Sequence, residues 1–208
     1  MADNLRKLLI QRAARLQERL AFTAPSWDPL NYSRFRNRVE GVALGLLASA
    51  CPSGTVCFCA TGTPWDWASE VAAACCGLRW EAAGASVDPE ILGGPRFNDE
   101  HGRGPYHERE HEVGGSTIFS AGLDHAAMMQ KLQRMNRSLG WDHETEVRLP
   151  MRQIGTRDVR AALWCALYAG AHAILEDEPP APRSVFRRRT AQRTAFDPTP
   201  FSGFWGIS

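Results

Sequence analysis

Apolar residues at three- and four-residue steps alternate along this chain with short apolar runs, and that alternation restricts it to few folds. Asp3 is placed to cap a helix from Leu5 to about Leu20, whose stripe is Leu5, Leu8, Leu9, Ala13, Leu16 and Leu20. A turn-rich stretch with Pro25, Asp28 and Pro29 follows. Ser33 then heads a helix carrying Phe35, Val39, Val42, Leu46 and Leu47, which stops near Pro52 and Gly54. Thr55 to Ala60 reads as a buried strand. Thr63-Pro64 is a strong helix start, a capping residue followed by proline at the first helical position, and Gly77 is the stop. Further strands are expected at Arg79 to Val87, Ser116 to Ser120, Glu146 to Leu149 and Ala171 to Leu175. Helices are expected from Gly122 to Leu139 and from Thr156 to Gly170. Five strands separated by helices predict βαβ units: an α/β, three-layer sandwich on a mostly parallel sheet.

Two stretches break the pattern. Residues 88–115 are rich in glycine, histidine and charge and read as a long loop. From residue 179 the composition shifts to arginine, then to proline and aromatics, so the expected division is an α/β domain over 1–178 and an extended tail over 179–208. The net charge of +1 gives the bulk of the protein no attraction for nucleic acid. No run approaches the roughly eighteen apolar residues of a membrane helix. Met1 to Arg15 is charged throughout and lacks a signal-like apolar core, so the expected setting is cytoplasmic. The six cysteines include no C-x-x-C pair, and reduced core thiols are expected.

Three segments carry a family likeness. In "LNYSRFRNRVEGVALGLLA" the carriers are Leu30, Tyr32, Phe35, Arg38, Val39 and Leu46. In "GTVCFCATGTPWDWASEVAAACCGLRW" they are Val56, Pro64, Trp67, Ala73 and Gly77. After Leu149-Pro150, "ALWCALYAGAHAILED" contributes Ala162, Leu167, Gly170, Ala171 and Leu175. In order and spacing these segments resemble the N-terminal part of the adenylate-forming (AMP-binding, acyl-CoA-synthetase-like) superfamily, over about residues 5 to 177. The resemblance implies a strand feeding a loop of the type T-S-G-T-T-G-x-P-K-G, whose backbone N–H groups cradle ATP phosphates and whose lysine adds charge. Here Ser116 to Ser120 runs instead into Ala121-Gly122-Leu123-Asp124-His125. The threonine pair, the second glycine and the lysine are missing, and Asp124 places negative charge where phosphate would lie. The later nucleotide-binding and lid motifs of that family also fall beyond the sequence. ATP-dependent ligation by this chain is therefore not expected, no catalytic residue is assigned and no cofactor is expected.

Other clusters suggest other chemistry. Ser120, Gly122, Asp124 and His125 stand at a strand end that opens a helix, the usual ligand position of an α/β sheet; the plain alternative is an ordinary helix start with Asp124 favoured by the dipole. His107-Glu108-Arg109-Glu110-His111 satisfies H-E-x-x-H, which on one helix would set two imidazoles on a zinc and a glutamate beside its water; its charged, glycine-flanked context reads equally as a solvated loop. In the tail, Arg187, Arg188 and Arg189 form a basic cluster, and Phe201, Phe204 and Trp205 form an aromatic one. Together they suggest a docking peptide, or a tail folded back on its own domain. The leading expectation is a non-catalytic adenylation-like protein that works as a subunit or regulator through a protein partner or as a homo-oligomer. The alternatives are a small-molecule or acyl-group binder and a metal-dependent hydrolase built on His107 and His111.

Overall fold

The computed structural model describes residues 4–48, 56–58, 62–81, 104–113, 117–119, 123–177 and 196–206. Helix α1 spans Leu5–Leu16, and its cap is Asn4, whose side chain accepts the Lys7 N–H at 2.8 Å. The expected cap, Asp3, lies outside the described residues. Leu5, Leu8, Leu9 and Ala13 face the core as the stripe requires. The helix does not reach Leu20. It ends at Gln17, held at a φ of 29°, and the chain turns into strand β1, Leu20–Thr23. Leu20 fitted the helical stripe by spacing alone and is 44% exposed, while Ala21 and Phe22 are buried.

Strand β2, Leu30–Asn31, returns antiparallel to β1. Both strands lie in segments whose sequence reads as helix end and turn. Helix α2, Tyr32–Ala48, is capped by Asn31, which accepts the Arg34 N–H at 2.7 Å, and not by Ser33. Strand β3, Val56–Phe58, helix α3, Pro64–Cys75, and strand β4, Arg79–Glu81, make a parallel βαβ unit. Thr63 and Pro64 start α3 as expected, although the Thr63 side chain makes no capping hydrogen bond.

Part of the predicted loop at 88–115 is helical: α4 spans Gly104–Glu108 and α5 spans Glu110–Val113. Strand β5, Thr117–Phe119, pairs antiparallel with β6, Leu123–Asp124. Helix α6, His125–Leu139, follows and is closed by Gly140 in the left-handed region. Strand β7, Glu146–Pro150, helix α7, Arg157–Ala169, and strand β8, His172–Glu176, form the second parallel unit. Gly170 closes α7 at a φ of 84°, and a Cβ there would meet Leu16 Cδ1 at 2.7 Å, so both backbone and packing require glycine.

The main sheet has four strands in the order β2-β1-β8-β7, with β1, β8 and β7 parallel. The α/β class and mostly parallel pairing match the sequence reading. The five expected strands do not share one sheet among the described residues: β3–β4 and β5–β6 are separate two-stranded ladders. An aromatic chain runs through the core from β1 to α7. Phe22 meets Phe35 at 5.8 Å between ring centroids, Phe35 stacks on Trp67 at 6.4 Å, and Trp67 meets Trp164 edge-on at 4.9 Å.

The last segment returns to the domain. A 3₁₀ turn at Thr199–Phe201 buries Phe201 and Phe204, and Phe201 meets Trp141 and Phe196, each at 5.9 Å. The Trp205 indole N–H donates to the Arg157 carbonyl at 2.7 Å, and Lys131 Nζ donates to the Gly206 carbonyl at 2.6 Å. The described end of the expected tail is thus part of the domain's packing.

Candidate functional site

Strand β6 delivers Asp124 and His125 to the first turn of α6. Asp124 is extended, with φ −89° and ψ 179°, and its carboxylate accepts the Ala127 N–H at 2.8 Å. That is an N-cap: the chain's own negative charge already satisfies a donor at the positive end of the helix. His125 is 1% exposed, and its Nδ1 accepts the Leu5 N–H at 3.2 Å. An accepting Nδ1 carries no proton, so this contact fixes the ring's role. His125 therefore ties the start of α6 to the start of α1, and Asp124 caps. Ser120 and Gly122, expected beside them, lie outside the described residues.

The other expected clusters are placed differently. His107 ends α4, His111 lies in α5, and the two short helices part at Arg109. The one continuous helix that would stack both imidazoles is not formed, and both side chains are exposed. Among the described residues no three His, Cys, Asp or Glu side chains gather as a metal set. Phe201 and Phe204, expected as docking aromatics, are buried at 2% and 4% exposure because their rings fill the surface beside α6 and α7. Trp205 is half-buried on Arg157 and Arg160, while Arg187, Arg188 and Arg189 lie outside the described residues. Cys75, Cys76 and Cys165 are buried and form no disulfide, and burial pushes the thiols of Cys75 and Cys165 up to about 12, which removes nucleophilic character.

The sequence reading missed two buried charge clusters. In the first, Glu70 is 1% exposed on α3 and accepts from Arg160 Nε at 2.8 Å, from Arg160 Nη2 at 3.0 Å and from the Trp164 indole N–H at 2.8 Å. The Arg160 guanidinium lies over Trp80 at 4.2 Å and Trp205 at 4.7 Å, so the pair links α3, α7 and the returning C-terminal segment. A signal was present: Glu70 is the one acidic residue in the run Ala68 to Gly77, and a carboxylate on so apolar a helix needs a partner. The second brings Arg6 on α1, Glu40 on α2 and Tyr106 on α4 close to one another and to Cys75 on α3.

The main sheet presents two unlike faces. Val147, Leu149, Ala173 and Leu175 are buried, whereas the alternate residues Glu146, Arg148, His172, Ile174 and Glu176 are half-exposed. On that second face Arg148 pairs with Glu176, and His172 Nε2 hydrogen-bonds Thr23 Oγ1 at 2.9 Å. Burial holds the His172 imidazole below its usual range, with Glu146 opposing.

No protein-family model matches the sequence, and no curated protein matches it. Solved structures do. The N-terminal domain of FACL13 from Mycobacterium tuberculosis superposes with a TM-score of 0.61 at 14% identity, over 84% of this chain and 57% of that one. The fatty acyl-adenylate ligase from L. pneumophila, solved with acyl adenylate and pyrophosphate, gives 0.61 at 12% identity, over 85% and 40%. The N-terminal subdomain of Klebsiella oxytoca NpsA, bound to 3-hydroxyanthranilyl-AMSN, gives 0.56 at 13% identity, over 88% and 55%. The fold is that of the N-terminal region of adenylate-forming enzymes. This adenylation-like chain spans between 40% and 57% of the length of those three structures. At such identities the likeness is one of fold, and the chemistry has to be argued from the residues.

Proposed function

We propose that this adenylation-like protein does not activate acids with ATP and works instead by association with another polypeptide, or with a second copy of itself, as a subunit or regulator. The half-covered sheet face carries the association reading. Parallel strands are ordinarily covered on both faces. Here β1, β8 and β7 bury one face and leave Thr23, Glu146, Arg148, His172, Ile174 and Glu176 half-exposed on the other. That mixture of one aliphatic group with paired charges suits a covering partner with polar complementarity. The outer edge of β7 also has no strand partner among the described residues.

The loss of adenylation is supported by Asp124. Its carboxylate holds the Ala127 N–H that a phosphate oxygen at this helix start would seek, and its charge repels a polyphosphate. A cytoplasmic setting suits Cys75, Cys76 and Cys165, which form no disulfide. The exposed, separated imidazoles of His107 and His111 offer the hydrolase alternative no geometric support.

The test is native mass spectrometry of the full chain recovered from its source cell, alongside an Ile174→Lys variant. Recovery of the parent in a defined complex, with the variant released as monomer, supports association through the sheet face. Free monomers in both cases overturn it. A complex unchanged by Ile174→Lys moves the contact elsewhere, with the Arg187, Arg188 and Arg189 cluster as the next substitution.

A further inference from the structure

The aromatic chain of the core reaches the surface just beyond β1. Trp27 sits in a turn closed by its own N–H on the Ala24 carbonyl at 3.2 Å, and it meets Phe22 edge-on at 5.8 Å. Trp65 stands in the first turn of α3, and the two indoles cross at 75° with centroids 4.8 Å apart. Arg38 of α2 lies over both, its guanidinium 4.7 Å from the Trp27 ring centre and 5.0 Å from that of Trp65. All three side chains are half-exposed. Tryptophan and arginine are the residues that most often anchor interfaces, and here three of them hold one another in place at the solvent boundary.

This surface offers donors and no acceptor. A guanidinium carries five N–H groups and an indole one, and neither accepts. Among the described residues the Arg38, Trp27 and Trp65 side chains meet no hydrogen-bond or ion-pair partner. Charge points the same way. Arg34, exposed one helical turn before Arg38, adds a second cation. Asp28, exposed beside Trp27, is the opposing carboxylate, whereas Asp66 beside Trp65 is 2% exposed and accepts the Gly62 N–H at 2.9 Å. The complement is a ligand with acceptors, few donors, negative charge and flat apolar rings. Proline supplies a carbonyl without an N–H, and a run of prolines loses little entropy when it docks on aromatic rings. A neighbouring carboxylate answers Arg38.

We infer that Trp27, Trp65 and Arg38 dock an extended acidic, proline-containing segment of a partner polypeptide, with prolines against the indoles and a carboxylate on the guanidinium. The inference does not rest on the sheet-face contact, because it uses none of the residues of that face.

The experiment uses ¹⁵N-labelled full-length protein and the end-blocked peptide Glu-Glu-Pro-Pro-Leu-Pro. Two control peptides carry glutamine for glutamate or alanine for proline, and ionic strength is low and constant. The indole N–H resonances of Trp27 and Trp65, assigned with Trp27→Phe and Trp65→Phe, are followed. The expected result is a saturable shift of both with the first peptide, and binding about fivefold weaker or worse with either control. Arg38→Gln should weaken binding about tenfold, and Asp28→Asn, which removes the opposing charge, should tighten it about twofold. Ile174→Lys should bind the peptide as the parent does, so a complex lost there and a peptide shift lost in Arg38→Gln report on separate surfaces. Equal binding of either control peptide overturns the inference, as does parental affinity in Arg38→Gln or resonances unmoved by the first peptide. The chain's own residues 176–182, Glu-Asp-Glu-Pro-Pro-Ala-Pro, have the same composition. A shift that appears only when Pro179→Ser and Pro180→Ser are introduced together assigns the surface to that segment and overturns the partner. Should Arg38→Gln fail to fold, Asp28→Asn decides: tighter binding supports the site, and unchanged or weaker binding overturns it.

Discussion

Two buried arginines of this protein are held in opposite ways. Arg160 lies against two tryptophans and gives its Nε/Nη2 edge to Glu70, which also receives the Trp164 N–H. Arg6 lies against one tyrosine, and the same edge meets no protein acceptor among the described residues. The first cluster is a structural joint: the Glu70 carboxylate, the Arg160 Nε/Nη2 edge and the Trp164 N–H satisfy one another, and it fastens α3, α7 and the C-terminal segment together. In the second, Arg6 Nε and Nη2 and Glu40 Oε2 are buried without hydrogen-bond partners. Equal burial thus hides unequal hydrogen-bond satisfaction of the two guanidinium edges.

The sharpest way to break this contrast is to remove one side of the first joint. Glu70→Ala leaves a buried guanidinium and an indole N–H without their acceptor, and should destabilise the fold by about 3–5 kcal/mol. Arg6→Met removes a charge that pairs with no carboxylate among the described residues and should cost far less. Urea unfolding of both variants checks the order, and equal losses would erase the distinction. Next in size is Phe201→Ala, expected to cost about 3–4 kcal/mol because the ring is a core group and not a docking handle. A loss near zero would return the aromatic cluster to partner binding.

Asp124→Ala should cost about 1 kcal/mol, the usual value of a lost cap, and Asp124→Asn much less. The smallest effect is a pH dependence at His172. Its folded pKa lies below the ordinary 6.5, so the unfolded chain binds the proton more readily. Its contribution to stability is therefore complete above about 6.5 and declines as pH falls from there toward the folded value. His172→Asn should flatten that part of the stability–pH curve measured by thermal melts.

Much of the fold was legible where local signals are strong. Thr63-Pro64, Gly77, Gly140 and Gly170 mark helix boundaries that the structure keeps, because proline and left-handed glycine constrain the backbone whatever surrounds them. Strands β1 and β2 were not legible. Leu20 continued a helical spacing, and a two-residue strand carries no periodicity; β1 is fixed by pairing with the distant β8, and β2 by pairing with β1. Asn31 outcompeted Ser33 as the cap of α2 by one register of the same chemistry.

The candidate site was legible in part. Asp124 capping α6 followed from its place before a helix, whereas the His125 contact with Leu5 joins groups 120 residues apart. Glu70 announced itself as a lone carboxylate on an apolar helix. Arg6 did not, because on a helix that also carries Lys7, Arg12 and Arg15 it reads as one more solvated cation, and only the helix arriving with Tyr106 buries it.

The claim that this adenylation-like fold works without ATP is tested most directly by calorimetric titration of the full chain with Mg·ATP. The absence of saturable binding at millimolar nucleotide is the result expected of a helix start already capped by Asp124. Saturable binding, with release of pyrophosphate when a carboxylic acid is added, would contradict it and restore an acid-activating enzyme.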